Sequence, residues 1–346
     1  MTVRAGNGAP AAVLAGVGAC VPSKTVTNAD FSTRLDTSSE WIASRTGIEE
    51  RRMVSDGEST VDLAVTAGQK ALKSAGAAAV GAVVLATTSP DRICPAGAPE
   101  VAHRLGLGVV PAFDLTSACS GFLFGLGTCQ GLIASGIVES VLLIGAEAFS
   151  TLVDPEDRGT AVIFGDGAGA VVLRAGTADE PGAIGPVALG TDGSLADLLY
   201  IPSGGSRQRS ASGLGRELET SSWYLQMEGR NLYPHAVARM TEASRTALEL
   251  AGWPLDTVDL FVGHQANLRI LTAVAKRLEV PEERLFVNID RVGNTLAASI
   301  PLALTDAASQ GELQSGDRVL LSAFGAGLSW GGTTLVWPAL SAEAPL

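Results

Sequence analysis

The chain is 346 residues long, beyond the usual reach of one hydrophobic core, so two core-bearing halves or an elaborated α/β unit are expected. Hydrophobic residues make up 46% and charged residues 17%, below the roughly 25% charge of an average globular protein, which implies a large buried interior or a buried subunit interface. A formal net charge of −12 argues against a nucleic-acid partner, because phosphate binding needs a basic surface, and no zinc-ligand spacing is present.

Near the N-terminus, Arg4 precedes a short Ala/Val/Gly run ending at Val17; glycines dilute it too much for a signal peptide, and it reads as the first strand. The longest apolar stretch, residues 75–88, is too short and glycine-broken to span a bilayer. Cys20, Cys94, Cys119 and Cys129 show no CxxC pairing and read as free thiols of a reducing compartment. A soluble, cytoplasmic protein without membrane contact is the expectation. His103 falls on the outer face of a helix. Cys119 stands in Asp114-Leu115-Thr116-Ser117-Ala118-Cys119-Ser120-Gly121, followed by an uncharged apolar helix containing Gly121, Gly125 and Gly127. Each helical Gly gives up about 1 kcal/mol relative to Ala, so tight burial has to hold this helix.

Further along, residues 160–164, a glycine-rich turn at 165–169 and residues 170–173 predict a hairpin. His235 follows Tyr233-Pro234 at a predicted helix start. His264 instead ends the apolar run 258–263, beyond a strand end, where α/β proteins carry catalytic side chains. A second hairpin is predicted between residues 322 and 337.

The chain repeats itself. Ala71-Leu72-Lys73-Ser74-Ala75-Gly76 is echoed 176 positions later by Ala247-Leu248-Glu249-Leu250-Ala251-Gly252. Ala82-Val83-Val84-Leu85 is answered by Leu260-Phe261-Val262, Arg104-Leu105-Gly106-Leu107 by Arg277-Leu278-Glu279-Val280, and Val141-Leu142-Leu143 by Val319-Leu320-Leu321. Several matches in one order at nearly one offset imply a duplicated unit. The predicted architecture is α/β, two similar halves (1–178 and 179–346) layered around a pseudo-two-fold axis. Asp114 aligns with Asp290, which puts Cys119 and Asn294 at near-equivalent points that meet across the axis.

At the first turn of a buried helix, Cys119 would face unsatisfied N–H groups and a positive dipole end, an environment that favours a thiolate over the usual pKa of about 8.5. Gly327-Leu328-Ser329-Trp330-Gly331 matches a hydrolase nucleophile elbow but lies between two strands with no histidine after it, and is rejected. Gly16-Val17-Gly18 lacks the third glycine and helix of a dinucleotide fingerprint, and the glycines at 165–169 are wrongly spaced. No nucleotide cofactor and no metal are expected.

The segments Thr37-Ser38-Ser39-Glu40-Trp41-Ile42, Arg45-Thr46-Gly47-Ile48, Asp157-Arg158-Gly159-Thr160, Phe164-Gly165-Asp166-Gly167-Ala168-Gly169, Gly263-His264-Gln265-Ala266-Asn267, Gly293-Asn294-Thr295 and Ala323-Phe324-Gly325-Ala326-Gly327 together resemble the β-ketoacyl-acyl-carrier-protein synthase III family. These are the priming condensing enzymes of the thiolase-fold superfamily, and the likeness runs from about Val13 to Trp337. The resemblance implies that Cys119 takes an acyl group from acyl-CoA, with the N–H groups of Cys119 and Ala326 as oxyanion hole. His264 and Asn294 would stabilise the enolate formed by decarboxylation of malonyl-acyl carrier protein. It further assigns Trp41, Arg45, Thr46, Arg158, Gly229, Ala266 and Asn267 to CoA and pantetheine, and Cys94, Phe149, Phe164, Leu199 and Leu225 to the acyl pocket. It implies a homodimer. Arg269, Lys276 and Arg277 form a basic face for an acidic carrier protein, with a plain solvated helix face as the equal alternative.

Two departures stand out. Ala326 replaces a middle glycine, and Tyr233-Pro234 replaces a Phe followed by a docking lysine. Cys94 stands where short-primer members carry a bulky aromatic that crosses the dimer interface, so room for a longer or branched starter is expected, and Cys94→Phe should shift preference toward acetyl. The competing reading is an acyltransferase that passes the acyl group to an oxygen, nitrogen or sulfur acceptor without decarboxylation.

Overall fold

The computed structural model describes residues 2–3, 10–212 and 220–345. In chain order the first half runs through strand β1 (Ala11–Cys20), helices α1 (Ser39–Thr46) and α2 (Thr60–Ala75), β2 (Ala82–Ala86), α3 (Ala98–Arg104), β3 (Ala112–Leu115), α4 (Gly121–Ala134), β4 (Ser140–Glu147) and β5 (Gly167–Gly176). The second continues with β6 (Val187–Thr191), α5 (Gly229–Ala251), β7 (Leu260–Gly263), α6 (Leu268–Leu278), α7 (Ser299–Gln310), β8 (Arg318–Gly325) and β9 (Ser329–Val336).

Two sheets result, ordered β1-β5-β4-β2-β3 and β6-β9-β8-β7, the second extended at the β6 edge by Thr2–Val3. This N-terminal strand therefore belongs to the sheet of the other half. In the first sheet β4, β2 and β3 run parallel while β1-β5 and β5-β4 pair antiparallel; in the second, β7 and β8 at the edge run parallel while β8-β9 and β9-β6 pair antiparallel. Ala82 pairs with Val141 in the first sheet, and Leu260 pairs with Val319 in the second, each 178 positions later. The counterpart of β3 has shrunk to a single parallel bridge between Phe261 and Leu285.

Apolar runs in these strands are continuous because both sheet faces are covered. Val84, Val141 and Leu143 face inward onto Phe122, Leu126, Ile300 and Leu304 of α4 and α7, which also receive Val262, Val319 and Leu321 of the other sheet. Val83, Leu85, Leu142 and Ile144 face outward onto Ala64, Ala67 and Ala71 of α2. Leu320 and Phe261 likewise meet Val237 and Met240 of α5 and Val274 of α6. The molecule is a five-layered α-β-α-β-α stack with the two glycine-rich or small-residue helices at its centre.

The helix ends explain the repeat in the sequence. Ser59 caps α2 in a capping box with Asp62, and the echoed segments at 71–76 and 247–252 are the last turns of α2 and α5, closed by Gly76 and Gly252 in the left-handed region. Glu279 adopts the same conformation at φ 59°, where its counterpart is Gly106.

Two expectations fail. The predicted strand at residues 160–164 is a turn, because β4 already occupies the antiparallel place beside β5; Phe164 bridges Asn294 instead. The helix predicted to start at His235 begins at Gly229, with Pro234 inside it. His103 lies exposed on α3 as expected.

Candidate active site

Ala118 has φ 44°, a left-handed conformation that L-residues adopt at a cost of about 1–3 kcal/mol and that recurs at functional turns. It lifts Cys119 into the tight turn Ala118–Ser120 that feeds α4. Hydroxyls lock this elbow. Ser120 Oγ and Ser329 Oγ lie 2.6 Å apart, and Ser329 also donates to Ala326 O at 2.9 Å and Ser117 O at 3.3 Å. Ser329, centre of the rejected hydrolase motif, is thus a clamp between the elbow and the β8–β9 turn. Gly325 makes the close approach possible, since a Cβ there would lie 2.8 Å from Cys119 N.

The left-handed residue has a twin. Leu296, at φ 47°, stands 178 positions after Ala118, and α7 begins 178 positions after α4. The structural equivalent of Cys119 is therefore Ala297, not Asn294, which lies three residues earlier; the offset taken from Asp114 and Asp290 was wrong because β3 has no full counterpart. The two turns pack together, a Cβ at Gly121 lying 3.4 Å from that of Ala297, and Ala297 O also fills the space beside Gly145 of β4.

His264 follows β7, with its amide bonded to Ser322 O at 2.8 Å. The fully buried Gln265 fixes this bend by donating to Gly263 O and Phe286 O and accepting from Asn288 N and Ile289 N. Among the described residues neither ring nitrogen of His264 has a partner, though the residue is 1% exposed. Burial pushes its pKa down to about 3, so the ring is neutral at ordinary pH. Asn294 is held by backbone bonds on both sides, its N–H donating to Ile163 O and its carbonyl accepting from Gly165 N. Its Oδ1 accepts from Leu296 N at 3.0 Å, which orients the amide and leaves Nδ2 as the free donor. Cys119, His264 and Asn294 line one cavity of about 560 Å³.

Comparison with known proteins assigns the lineage. The family of 3-oxoacyl-[acyl-carrier-protein (ACP)] synthase III matches residues 113–193, and its C-terminal family matches 248–337. β-Ketoacyl-[acyl-carrier-protein] synthase III 5 of Streptomyces coelicolor is 55% identical over 332 residues, covering 96% of this chain and 99% of its own. The chain belongs to the β-ketoacyl-acyl-carrier-protein synthase III family. The crystal structure of the Pseudomonas aeruginosa synthase III superposes with a TM-score of 0.89 at 45% identity, covering 96% of this chain and 99% of that one. The priming β-ketosynthase of a polyketide biosynthetic pathway gives 0.88 at 35% identity over 96% and 98%. The fold is thiolase-like, and as a synthase III the chain is an acyltransferase of the condensing type.

In this synthase III, Trp41, Arg45, Thr46, Gly229, Ala266, Asn267 and Arg269 line the outer part of the cavity. The guanidinium carbons of Arg45 and Arg158 lie 4.8 and 4.9 Å from the Trp41 ring centroid. Arg158 is tethered to Asp36 O at 2.7 Å and does not itself line the cavity. The Thr46 hydroxyl is committed within its own turn, donating to Ile42 O and accepting from Ile48 N. Asn267 caps α6 through Arg269 N and bonds Arg45 O, joining that helix to α1. Gly229 is the first residue of α5.

Deeper in, Phe164 and Leu199 line the cavity. Phe149 and Leu225 pack behind it in the apolar cluster that contains Cys119, the Phe149 and Phe164 centroids 5.0 Å apart. Cys94 is exposed on the loop between β2 and α3 and does not reach the cavity of its own chain. Arg269, Lys276 and Arg277 all lie exposed on α6, and the backbone carbonyl of Arg277 accepts from Arg245 of α5.

The thiolate expectation is overturned. Burial, with the Glu147 carboxylate adding to it, pushes the Cys119 thiol up to about 12, against the weaker opposing effect of a backbone hydrogen bond. The elbow turn places Cys119 ahead of α4, and burial is the largest influence on its thiol. Glu147 was missed in the sequence. It is completely buried, and its carboxylate accepts from Thr88 N, Ser89 N and Ser89 Oγ at the end of β2. Burial raises its own pKa to about 7. A lone acid closing the apolar run 141–146 was the available signal.

Proposed function

We propose that this chain condenses an acyl-CoA starter with malonyl-acyl carrier protein, giving 3-ketoacyl-acyl carrier protein, CoA and carbon dioxide. The reading rests on two unpartnered donors, the neutral ring of His264 and Nδ2 of Asn294, facing one cavity with a thiol on a strained elbow. Cys119 Sγ attacks the thioester carbonyl, its proton ends on the departing CoA sulfur, and the N–H groups of Cys119 and Ala326 receive the developing oxyanion. Malonyl-carrier protein then loses carbon dioxide. The electron pair released from the breaking C–C bond forms an enolate, to which a neutral imidazole N–H and an amide N–H donate. The enolate carbon attacks the acyl-cysteine, and Sγ leaves and is reprotonated. Simple acyl transfer needs less enolate stabilisation than two such donors provide.

Arg45 carries no ion pair among the described residues and is free to leave Trp41 for the adenine end of CoA, while Arg158 stays tethered. Arg269, beside the mouth, with Lys276 and Arg277 further along α6, docks the acidic carrier protein. A homodimer brings Cys94 of each copy to the acyl pocket of the other, and the CoA-dependent chemistry belongs in the cytoplasm. No helix among the described residues is long and apolar enough to cross a membrane.

The deciding experiment incubates the protein with malonyl-carrier protein and a panel of acyl-CoAs and weighs the carrier-bound products. Ketoacyl masses are expected. Plain acyl masses with malonyl untouched would replace condensation by simple transfer.

A further inference from the structure

A second, smaller cavity of about 130 Å³ opens on the surface beside the strands Thr25–Thr27 and Glu50–Arg52. Phe164 lines both this crevice and the cavity of Cys119. The wall between them is continuous apolar material: Phe31, Val153, Ala161 and Phe164 of the crevice belong to the same cluster as Cys119, with Met53 packed against it. The Phe164 backbone is pinned, since Ile163 O and Gly165 N both bond to Asn294. The partition at this point is the Phe164 ring, 5.0 Å from that of Phe149, and not the backbone that holds Asn294.

The outer end of the crevice differs from its middle. Lys24 and Arg34 line it, both exposed, and neither forms an ion pair with an acid among the described residues. Arg34 rests on the Phe31 ring at 4.9 Å and, among the described residues, donates only to Pro155 O at 3.3 Å. An apolar passage ending at two unneutralised cations suits a chain of methylenes that ends in an anion.

We propose that Phe164 is a gate between the acyl cavity and this crevice, and that the crevice receives the far end of acyl starters carrying a terminal carboxylate, held by Lys24 and Arg34. This deepens the condensing reading and rests on it.

The test measures acyl-Cys119 formation by intact-protein mass spectrometry with three CoA thioesters: isobutyryl, a medium-chain acyl ending in methyl, and its length-matched analogue ending in carboxylate. The carboxylate-ended thioester is expected to load faster than its methyl-ended match. The double variant Lys24→Glu, Arg34→Glu is expected to erase that preference, by roughly tenfold, while isobutyryl loading stays unchanged. Phe164→Ala, which removes the partition, is expected to speed both medium-chain thioesters relative to isobutyryl. Equal loading of the matched pair in the unsubstituted protein, or a preference indifferent to the charge reversals, overturns the proposal. Loss of isobutyryl loading in the unsubstituted protein would instead sink the acyl-CoA reading itself, so the two failures are distinguishable.

Discussion

The turns Ala118–Ser120 and Leu296–Ala298 are built alike and used differently. Each starts with an L-residue held near φ 45° and feeds a central helix. The first presents a thiol to a cavity. The second presents Ala297, which only fills the space left by Gly145 and lies 3.4 Å from where a Cβ would sit at Gly121. The repeat has two elbows, and only one carries a thiol. The other turn packs beneath it, and its approach segment supplies Asn294. Backbone geometry alone therefore does not make an active site. The surroundings decide: Cys119 lines the cavity that His264 and Asn294 also line, whereas Ala297 is packed against Gly145 of β4 and is not part of that lining.

Substitutions that exchange the roles of the two turns break this comparison most severely. Cys119→Ser is expected to lower condensation by about 10⁴-fold or more and abolish the acyl-enzyme seen by mass spectrometry. Adding Ala297→Cys to it should restore nothing, and acylation of that second thiol would show the elbows to be interchangeable. His264→Ala and Asn294→Ala should each cost about 10²–10³-fold in condensation while Cys119 still loads from acyl-CoA. Separate single-turnover measurements of loading and of carbon dioxide release read the two steps, and equal loss in both would deny these residues a role confined to the enolate.

Gly325→Ala is expected to slow loading by about 10²-fold, because its Cβ displaces the Cys119 amide from the oxyanion hole. The smallest effect concerns charge. Glu147 raises the Cys119 pKa, so Glu147→Gln should lower it and speed iodoacetamide alkylation several-fold at a pH below the thiol's own value. An unchanged pH profile would confine Glu147 to holding the turn after β2. His264 provides an independent check of the sign. Its folded pKa is lowered from 6.5 to about 3, so its stability contribution is full above pH 6.5 and fades as the pH falls toward 3. Denaturant melts between these limits should be flatter in His264→Gln than in the parent.

Much of this was legible in the residues. The apolar run before His264 announced a strand end, and the echo of 82–85 at 260–262 announced the second sheet, because buried parallel strands are read directly from continuous apolar residues. The hairpin of β8 and β9 was legible for the same reason, its turn rich in glycine. The hairpin at 160–173 failed because local pattern says nothing about which strand occupies a sheet position first. β4 paired with β5, leaving residues 160–164 to build the cavity wall. The equivalence of Cys119 with Asn294 failed because it was measured from Asp114, on a strand that the second half lacks.

The sequence by itself determined the duplicated α/β architecture, the central glycine-rich helix and the three residues with chemistry to offer, since periodicity, small side chains and reactive groups are local properties. Tertiary structure alone decided that Ala118 is held left-handed, that burial keeps Cys119 protonated and His264 neutral, and that Glu147 lies close enough to the thiol to be felt. Each of those depends on atoms from distant parts of the chain: the backbone of residues 325–326, the layers that exclude water, and the strand that ends in a carboxylate. Desolvation and close approach are sums over neighbours, and neighbours are what a linear pattern does not contain.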